Sequence, residues 1–159
     1  GKKKKDYTQV VTEAEAEHLF EQCLSLAHDC VGDQVTLGRD LSRCGRLLFG
    51  NKYSGTYPSD DVPRLTSKSS YAIMNNKTVE EGGEHWVALA RDTRDGRYIV
   101  FDTFGRRTSD LLPSLYMSVE TRDTDPDKDQ LEEMKDCGAR CIAWLLLLET
   151  CGEKVALLI

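Results

Sequence analysis

Apolar residues recur with a helical period in the first part of the chain. The segment TEAEAEHLFEQCLSLAHDC, which begins at Thr12, places apolar side chains three and four positions apart. Thr12 and Glu15 have the spacing of a capping box, in which each side chain satisfies a backbone N–H at the start of a helix. The pattern predicts an amphipathic helix that packs one face on the core through Ala16, Leu19, Phe20, Cys23, Leu24 and Ala27.

Three short apolar runs in the middle of the chain have the composition of β-strands. They are SYAIM (70–74), HWVALA (85–90) and RYIVFD (97–102), which are rich in β-branched and aromatic residues. The turn signal Asp95-Gly96 lies between the last two and predicts an antiparallel hairpin. Residues 32–70 are rich in Gly, Ser, Asp and Pro, and are predicted to form loops and short elements.

The apolar pattern near the C-terminus differs from that of the first helix. The segment CGARCIAWLLLLE (137–149) is apolar on nearly every face, and such a helix belongs in the centre of a domain. The final KVALLI is predicted to be a last strand or a helix end. The predicted fold class is α+β: a central apolar helix packs on a mostly antiparallel sheet, with an additional N-terminal helix.

Length and composition indicate one globular domain. A chain of 159 residues, 40% hydrophobic and 30% charged, is long enough to bury one core. Residues 1–11 are predicted to form a disordered basic tail, and residues 12–159 a single domain. The longest apolar run, Ile142 to Leu148, is far shorter than the roughly 18 residues of a membrane span, so no membrane segment is expected.

The net charge of -6 argues against a nucleic-acid-binding domain, because phosphate contacts need clustered Lys and Arg. The exception is the run Lys2 to Lys5. Such a run is most often a solvated chain end, and the alternatives are a localisation signal or an electrostatic handle. Nucleic-acid binding is therefore not expected beyond this tail.

The six cysteines lack the dense spacing of a disulfide framework, and no signal peptide accompanies them. We interpret them as reduced thiols in an intracellular compartment. Cys137 and Cys141 are separated by three residues, but neither a second pair nor a nearby histidine completes a zinc site, so no metal is expected. The six are Cys23, Cys30, Cys44, Cys137, Cys141 and Cys151.

One of the three histidines lies on an apolar run beside Trp86. If the predicted hairpin pairs Ala90 with Arg97, His85 falls opposite Asp102 with Cβ atoms about 4.5 to 5.5 Å apart, close enough for the carboxylate to orient the imidazole. A tight two-residue turn would give another register, so the pairing stays open. The other two histidines, His18 and His28, are interpreted as surface or helix-end residues.

A thiol at the start of the central helix completes the candidate chemistry. Backbone N–H groups and the macrodipole at a helix N-terminus favour the thiolate, and a neighbouring imidazolium favours it further. Cys137 followed by Gly138 fits that role, its N–H is a candidate oxyanion donor, and the side-chain amide of Gln130 is a second. Each residue alone is more often structural. The joint order of base, orienter, oxyanion donor and nucleophile is what acyl transfer by a cysteine needs.

These residues resemble the adenovirus-type cysteine proteases (adenain), in the clan that also contains the proteases of SUMO and related modifiers. The segment AIMNNKTVEEGGEHWVALARD is similar to the family's segment ending in Gly-Gly-x-His-Trp, and YIVFDTFG to its acidic-residue strand ending in Phe-Gly. The intervals from His85 to Asp102 and from Gln130 to Cys137 equal those of the family. CGARC resembles its Cys-Gly-x-x-Cys helix start, and SGTYPSDDVP a Gly-Thr-Tyr loop near its substrate groove.

The resemblance, over roughly residues 44–148, implies a role for each residue. His85 is the expected general base, Asp102 the third triad member, and Cys137 the nucleophile, with Gln130 and the Cys137 N–H as oxyanion donors. Human-type adenains carry glutamate where this chain has Asp102, and the chemistry accepts either carboxylate. The expected substrate-binding residues are Trp86, Gly83 and Gly138, and the alternative for Trp86 is a core aromatic.

The resemblance also implies a function. We expect a monomeric viral cysteine endopeptidase that cleaves precursor capsid or core proteins at Gly-containing sites, in the host nucleus or the virion. The alternatives are a deubiquitinase or deSUMOylase acting on Gly-Gly tails, and an inactive binding module of the same fold.

The family's activation is not expected in full. Adenain is activated by DNA and by a viral peptide that attaches through a disulfide. The acidic charge disfavours DNA, and no cysteine lies between the Phe-Gly strand and Gln130, where the peptide would attach. No cofactor is expected, while a non-covalent peptide that adds a strand to the sheet stays open as an activator.

Overall fold

The structure, a computed structural model, has the α+β class that the sequence predicts. It describes residues 11–32, 36–78, 80–81, 85–124 and 136–159. The helices are α1 (Glu13–Val31), α2 (Gly38–Phe49), α3 (Thr108–Leu111), α4 (Pro113–Ser118), α5 (Cys137–Cys151) and α6 (Glu153–Ala156). The strands are β1 (Tyr53–Tyr57), β2 (Tyr71–Asn75), β3 (Trp86–Arg91), β4 (Tyr98–Phe101) and β5 (Thr121–Asp123).

The described strands form one mixed sheet in the order β1-β2-β3-β4-β5. The central strand β3 pairs antiparallel with β2 and β4, as expected for the predicted hairpin. The edge strands β1 and β5 run parallel to their neighbours, so the sheet is antiparallel in its centre and parallel at both edges.

Helix α5 is enclosed by the sheet and by other helices, as its apolar composition predicts. Trp144 is fully buried and stacks on Phe101 of β4, with ring centroids 5.3 Å apart. Phe20 of α1 packs against the same Phe101 ring at 6.3 Å. A tryptophan this deep needs a partner for its polar atom, and its Nε1–H donates to the Ala156 carbonyl at 3.0 Å. Consequently α1, α5, α6 and β4 share one core.

The N-terminal helix begins where its capping signal predicts. The Thr12 hydroxyl accepts a hydrogen bond from the Glu15 N–H at 3.1 Å and donates one to the Glu15 carboxylate. The predicted apolar face is inward: Phe20, Cys23 and Leu24 are buried, together with Ala16 and Ala27. The prediction of an amphipathic helix is confirmed.

The prediction of loops and short elements for residues 32–70 is wrong in part, because α2 is a 12-residue helix. The sequence analysis did not predict α2 because the helix contains glycines, which are poor helix formers. The glycine at 45 has a packing reason, because a Cβ there would lie 2.6 Å from ring atoms of Tyr53. Close approach of β1 to α2 therefore requires this residue.

The register of the β3–β4 hairpin differs from the predicted one by two residues. Ala90 pairs with Ile99 rather than with Arg97. The ladder continues as far as Asp92, whose N–H donates to the Arg97 carbonyl at 2.7 Å, and the Asp92 carboxylate accepts from the Arg94 N–H at 2.8 Å. The observed register therefore leaves residues 93–96 as the turn, and the Asp92 side chain stabilises it.

The interpretation of all six cysteines as reduced thiols is corrected by a disulfide between Cys30 and Cys44. It joins the last turn of α1 to α2, with Cα atoms 6.0 Å apart. The two helices approach only in the folded chain, and the sequence spacing of the cysteines gave no sign of it. The other four cysteines are free thiols.

None of the helices that the structure describes combines the length and apolar composition needed to cross a membrane.

Candidate active site

The predicted histidine and aspartate meet in the structure. His85 directly precedes β3 and Asp102 directly follows β4, so both lie just beyond the paired residues of the hairpin. His85 Nε2 hydrogen-bonds Asp102 Oδ1, and both residues are about 5% exposed. In the observed register Asp102 is diagonal to His85 rather than opposite, and a diagonal neighbour is still within side-chain reach.

Residues that the sequence analysis missed hold this pair in place. The carboxylate oxygen of Asp102 that does not face His85 accepts from the backbone N–H of Arg106 at 2.9 Å and from its guanidinium Nε at 3.1 Å. The ring of Phe104 stacks on the His85 imidazole at 4.7 Å and also lies beneath the Arg106 guanidinium, at 4.9 Å. Phe104 occupies the position opposite His85 when the β3–β4 register is extended. The sequence analysis would therefore have identified Phe104 if it had predicted the correct register.

The backbone of His85 is fixed from the other side by Asn76. The His85 N–H donates to the Asn76 side-chain oxygen at 3.1 Å, and the Asn76 N–H donates to the His85 carbonyl at 3.0 Å. Nothing in the local sequence pattern distinguishes this asparagine from a turn residue. It continues the β2–β3 pairing by one step and orients the histidine.

The charges of the pair reinforce each other. Burial lowers the pKa of His85, but hydrogen bonds and charge interactions with Asp102 and Cys137 outweigh burial and raise it above its ordinary value. Burial likewise raises the pKa of Asp102, but His85 and Arg106 outweigh burial and lower it. The raised pKa of His85 and the lowered pKa of Asp102 both favour an imidazolium–carboxylate pair.

Cys137 is the first residue of α5 and is 8% exposed. The Cys137 thiol interacts with the His85 imidazole through a hydrogen bond and through its charge, and both contribute to the raised pKa of His85. Cys141 lies one turn further into α5 and is fully buried, and burial raises its pKa well above the ordinary range, with a further contribution from the charge of Cys137. One cysteine of the CGARC segment therefore faces the histidine, and the other belongs to the core.

Gly138 brings α5 close to the segment that leads into α2. A Cβ at this position would lie 3.0 Å from Cβ of Thr36 and 3.2 Å from a methyl carbon of Leu41. The space beside Gly138 is thus filled by the protein's own side chains. The structure gives a packing reason for this glycine, whereas its predicted contact with substrate stays a prediction.

Trp86 lines a groove on one side and packs against the core on the other. Its Nε1–H donates to the Thr36 carbonyl at 3.1 Å, and its ring lies 3.4 Å from where a Cβ of Gly38 would be. The groove has a volume of about 460 Å³ and lies between the start of α2 and the ends of β1, β2 and β3, with Thr56 and Asn75 among its lining residues. Trp86 therefore lines a groove next to the candidate base, whereas its predicted contact with substrate stays a prediction.

Two predicted residues, Gln130 and Gly83, lie outside the described residues. Their roles stay predictions. Within the described ranges, no group of three or more His, Cys, Asp or Glu residues is arranged to hold a metal ion.

Sequence comparisons relate the chain to viral proteases. A sequence model of the adenovirus endoprotease family matches residues 61–121, which include the candidate histidine and aspartate. The protein named "Protease" from Human adenovirus E serotype 4 is 30% identical over 120 residues, covering 74% of this chain. The chain spans 52% of the length of that relative.

The first prediction concerns the pH dependence of stability. The raised pKa of His85 contributes stability that is present below its ordinary value of 6.5 and is lost as the pH rises through the higher folded value. The lowered pKa of Asp102 contributes stability that is present above 3.8 and is lost as the pH falls. We expect the melting temperature of His85→Gln to lie furthest below wild type between about pH 4 and 6.5.

Thermal melts across the pH range test this, with His18→Gln as the matched control, because His18 is an exposed histidine of α1. The control difference should stay near zero at every pH. A His85→Gln deficit that is constant, or that grows above pH 7, would contradict the ion pair.

The second prediction is that Cys137 reacts with iodoacetamide before the other free cysteines. Cys137 is the first residue of α5 and lies beside the His85 imidazole, a position typical of reactive cysteines. Burial and the charge of Cys151 raise the pKa of Cys23 to about 11, and Cys141 is buried more deeply. Substoichiometric labelling at neutral pH with peptide mapping measures the order, and Cys137→Ser should remove the fast site. First labelling at Cys23 or Cys151 would contradict the assignment.

Proposed function

Because the chain is related in sequence to the adenovirus endoproteases, we propose that it is a cysteine endopeptidase whose triad is Cys137, His85 and Asp102. The observation that carries the proposal is the buried His85–Asp102 pair beside a thiol at the N-terminus of the central helix. A structural ion pair needs no adjacent thiol, and a core cysteine needs no helix start. The combination fits nucleophilic catalysis.

In the proposed mechanism, Asp102 holds the His85 ring and stabilises its charged form. The Cys137 thiolate attacks the carbonyl carbon of the scissile peptide, and the carbonyl electron pair moves to the oxygen. The N–H of Cys137 and the amide of Gln130 donate to this oxyanion. His85 gives its proton to the leaving amine, and the acyl-enzyme forms. Water then attacks the thioester, His85 accepts the water's proton, and the thiolate leaves.

The groove beside Trp86 suggests how a substrate chain is bound. The indole of Trp86 forms a wall of this groove next to the proposed base, and we expect it to favour glycine near the cut. Gly83 and Gly138 are the proposed backbone partners of this segment. The proposed substrates are precursor capsid or core proteins of a virus, cut in the virion or the host nucleus by a monomeric enzyme whose protease domain spans residues 12–159.

The second candidate is a deubiquitinase or deSUMOylase, because a Gly-Gly tail could bind in the same groove and the same constellation could cut it. An inactive binding module of the same fold is the third, and the presence of all four polar residues, His85, Asp102, Gln130 and Cys137, disfavours it.

We propose that DNA and a disulfide-linked peptide are not required. The net charge of -6 repels a phosphate backbone from most of the surface. Non-covalent activation stays open, because β1 and β5 are the edge strands of the sheet and a bound peptide can extend such an edge.

The third prediction is cleavage of a Gly-containing viral-type peptide by the purified chain without additives. Cys137→Ala should abolish cleavage, and ubiquitin or SUMO vinyl sulfone probes should leave Cys137 unlabelled. Labelling by those probes without peptide cleavage would favour the second candidate. If Cys137→Ala still cleaved the peptide, the proposed triad would be refuted.

The same assay tests activation when duplex DNA, candidate viral peptides and reductant are added separately. DNA binding through the basic tail should be salt-sensitive and should vanish when residues 1–11 are removed. A reductant control on the chain alone is needed, because the Cys30–Cys44 disulfide also responds to reductant. A rate that rises by orders of magnitude with DNA would contradict the proposal.

The fourth prediction concerns Gln130. Loss of one oxyanion donor typically lowers kcat by about 10² to 10³-fold, while KM changes little. Gln130→Ala should show this split in steady-state kinetics, and Gln130→Glu, which replaces the donating amide, should behave similarly. Near wild-type turnover would require another donor.

A further inference from the structure

Asp136 precedes the candidate nucleophile and is the N-cap residue of α5, yet its side chain accepts no capping hydrogen bond from this helix. Aspartate is among the best N-cap residues, because its carboxylate accepts a hydrogen bond from the N–H groups of the first turn. Here that carboxylate is bound elsewhere. The Asp136 side chain therefore does not compete for the N–H groups of the first turn, even though aspartate caps helices well.

Among the described residues, a histidine and an arginine side chain contact the Asp136 carboxylate. His28 Nε2, from the last turn of α1, lies 3.2 Å from one carboxylate oxygen. Arg140 Nε, one turn into α5, lies 3.0 Å from the other. The Arg140 side chain is 8% exposed, and those of His28 and Asp136 are 26% and 22% exposed. Such partly buried contacts are weakly screened by solvent.

The position of this carboxylate matters for the thiol next to it. A free negative charge one residue from Cys137 disfavours the thiolate, and a carboxylate that caps α5 competes for the N–H groups that bind an oxyanion. The contact with Arg140 stays within α5, whereas the contact with His28 joins α1 to the residue before the nucleophile. The sequence pattern gave His28 no role beyond the helix end.

We propose that His28 is a positioning residue that, together with Arg140, holds the Asp136 carboxylate away from the catalytic end of α5. This role rests on the proposed function of Cys137 as nucleophile. His28 acts through Asp136 and touches neither substrate nor the reacting atoms.

The fifth prediction follows from this role. His28→Ala should slow alkylation of Cys137 at pH 7 about tenfold and lower kcat similarly, because the released carboxylate then lies beside the reacting thiol. KM should stay within about twofold, because the binding groove is elsewhere. His18→Ala is the matched control, since His18 lies on the same helix, is exposed, and contacts Gln22 rather than α5. It should leave both rates unchanged.

A rescue separates this role from a merely structural one. In the double variant His28→Ala/Asp136→Asn, the negative charge is gone, so alkylation of Cys137 should return to within about threefold of wild type. Asp136→Asn alone should not slow alkylation, which tests the proposal even where His28→Ala folds poorly. Loss of packing between α1 and α5 would not be rescued.

Three outcomes overturn the inference. They are wild-type alkylation and kcat in His28→Ala, a defect that Asp136→Asn does not rescue, and slow alkylation in Asp136→Asn alone. Cys137→Ala distinguishes failure of the role of His28 from failure of the proposed triad. If that variant is inactive while His28→Ala is normal, only the role of His28 fails, and if it keeps activity, the proposed triad fails as well.

Discussion

The burial of α5 on all sides is the constraint on which the rest of the structure depends. A helix with Trp144 and a run of leucines cannot face solvent on any side without a large cost in exposed apolar area. The sheet covers one side, α1 another, and α6 supplies the carbonyl that the Trp144 indole needs. The last turn of α5 reaches solvent and polar partners through Glu149, whereas its first residue, Cys137, stands beside His85.

The hairpin of β3 and β4 delivers the other polar groups to the same place. His85 and Asp102 lie at the ends of two paired strands, so backbone hydrogen bonds fix their separation before the side chains interact. Asn76, Phe104 and Arg106 then restrict the imidazole and the carboxylate further. A pair held this rigidly has little reorganisation to undergo during proton transfer.

Periodicity predicted the elements whose signals are local. The α1 cap, the burial of α5 and the three central strands follow from the spacing of apolar residues. The helix α2 escaped notice because the reason for Gly45 is the ring of Tyr53, which the chain reaches only after folding. The disulfide partner of Cys30 and the contact of His28 with Asp136 were missed for the same reason, since both join segments distant in sequence. The two-residue error in hairpin register did not separate His85 from Asp102, because a diagonal pair is still within reach.

The two tryptophans of the chain stand in contrasting surroundings. Trp144 is sealed in the core with its ring against Phe101, whereas Trp86 is half-buried at the groove with its N–H on the Thr36 carbonyl. Their fluorescence consequently reports different events. Emission from Trp144 follows the loss of the core, and emission from Trp86 follows a change of polarity in the groove. Replacing one indole at a time by phenylalanine would make occupancy of the groove optically separable from unfolding in a single sample.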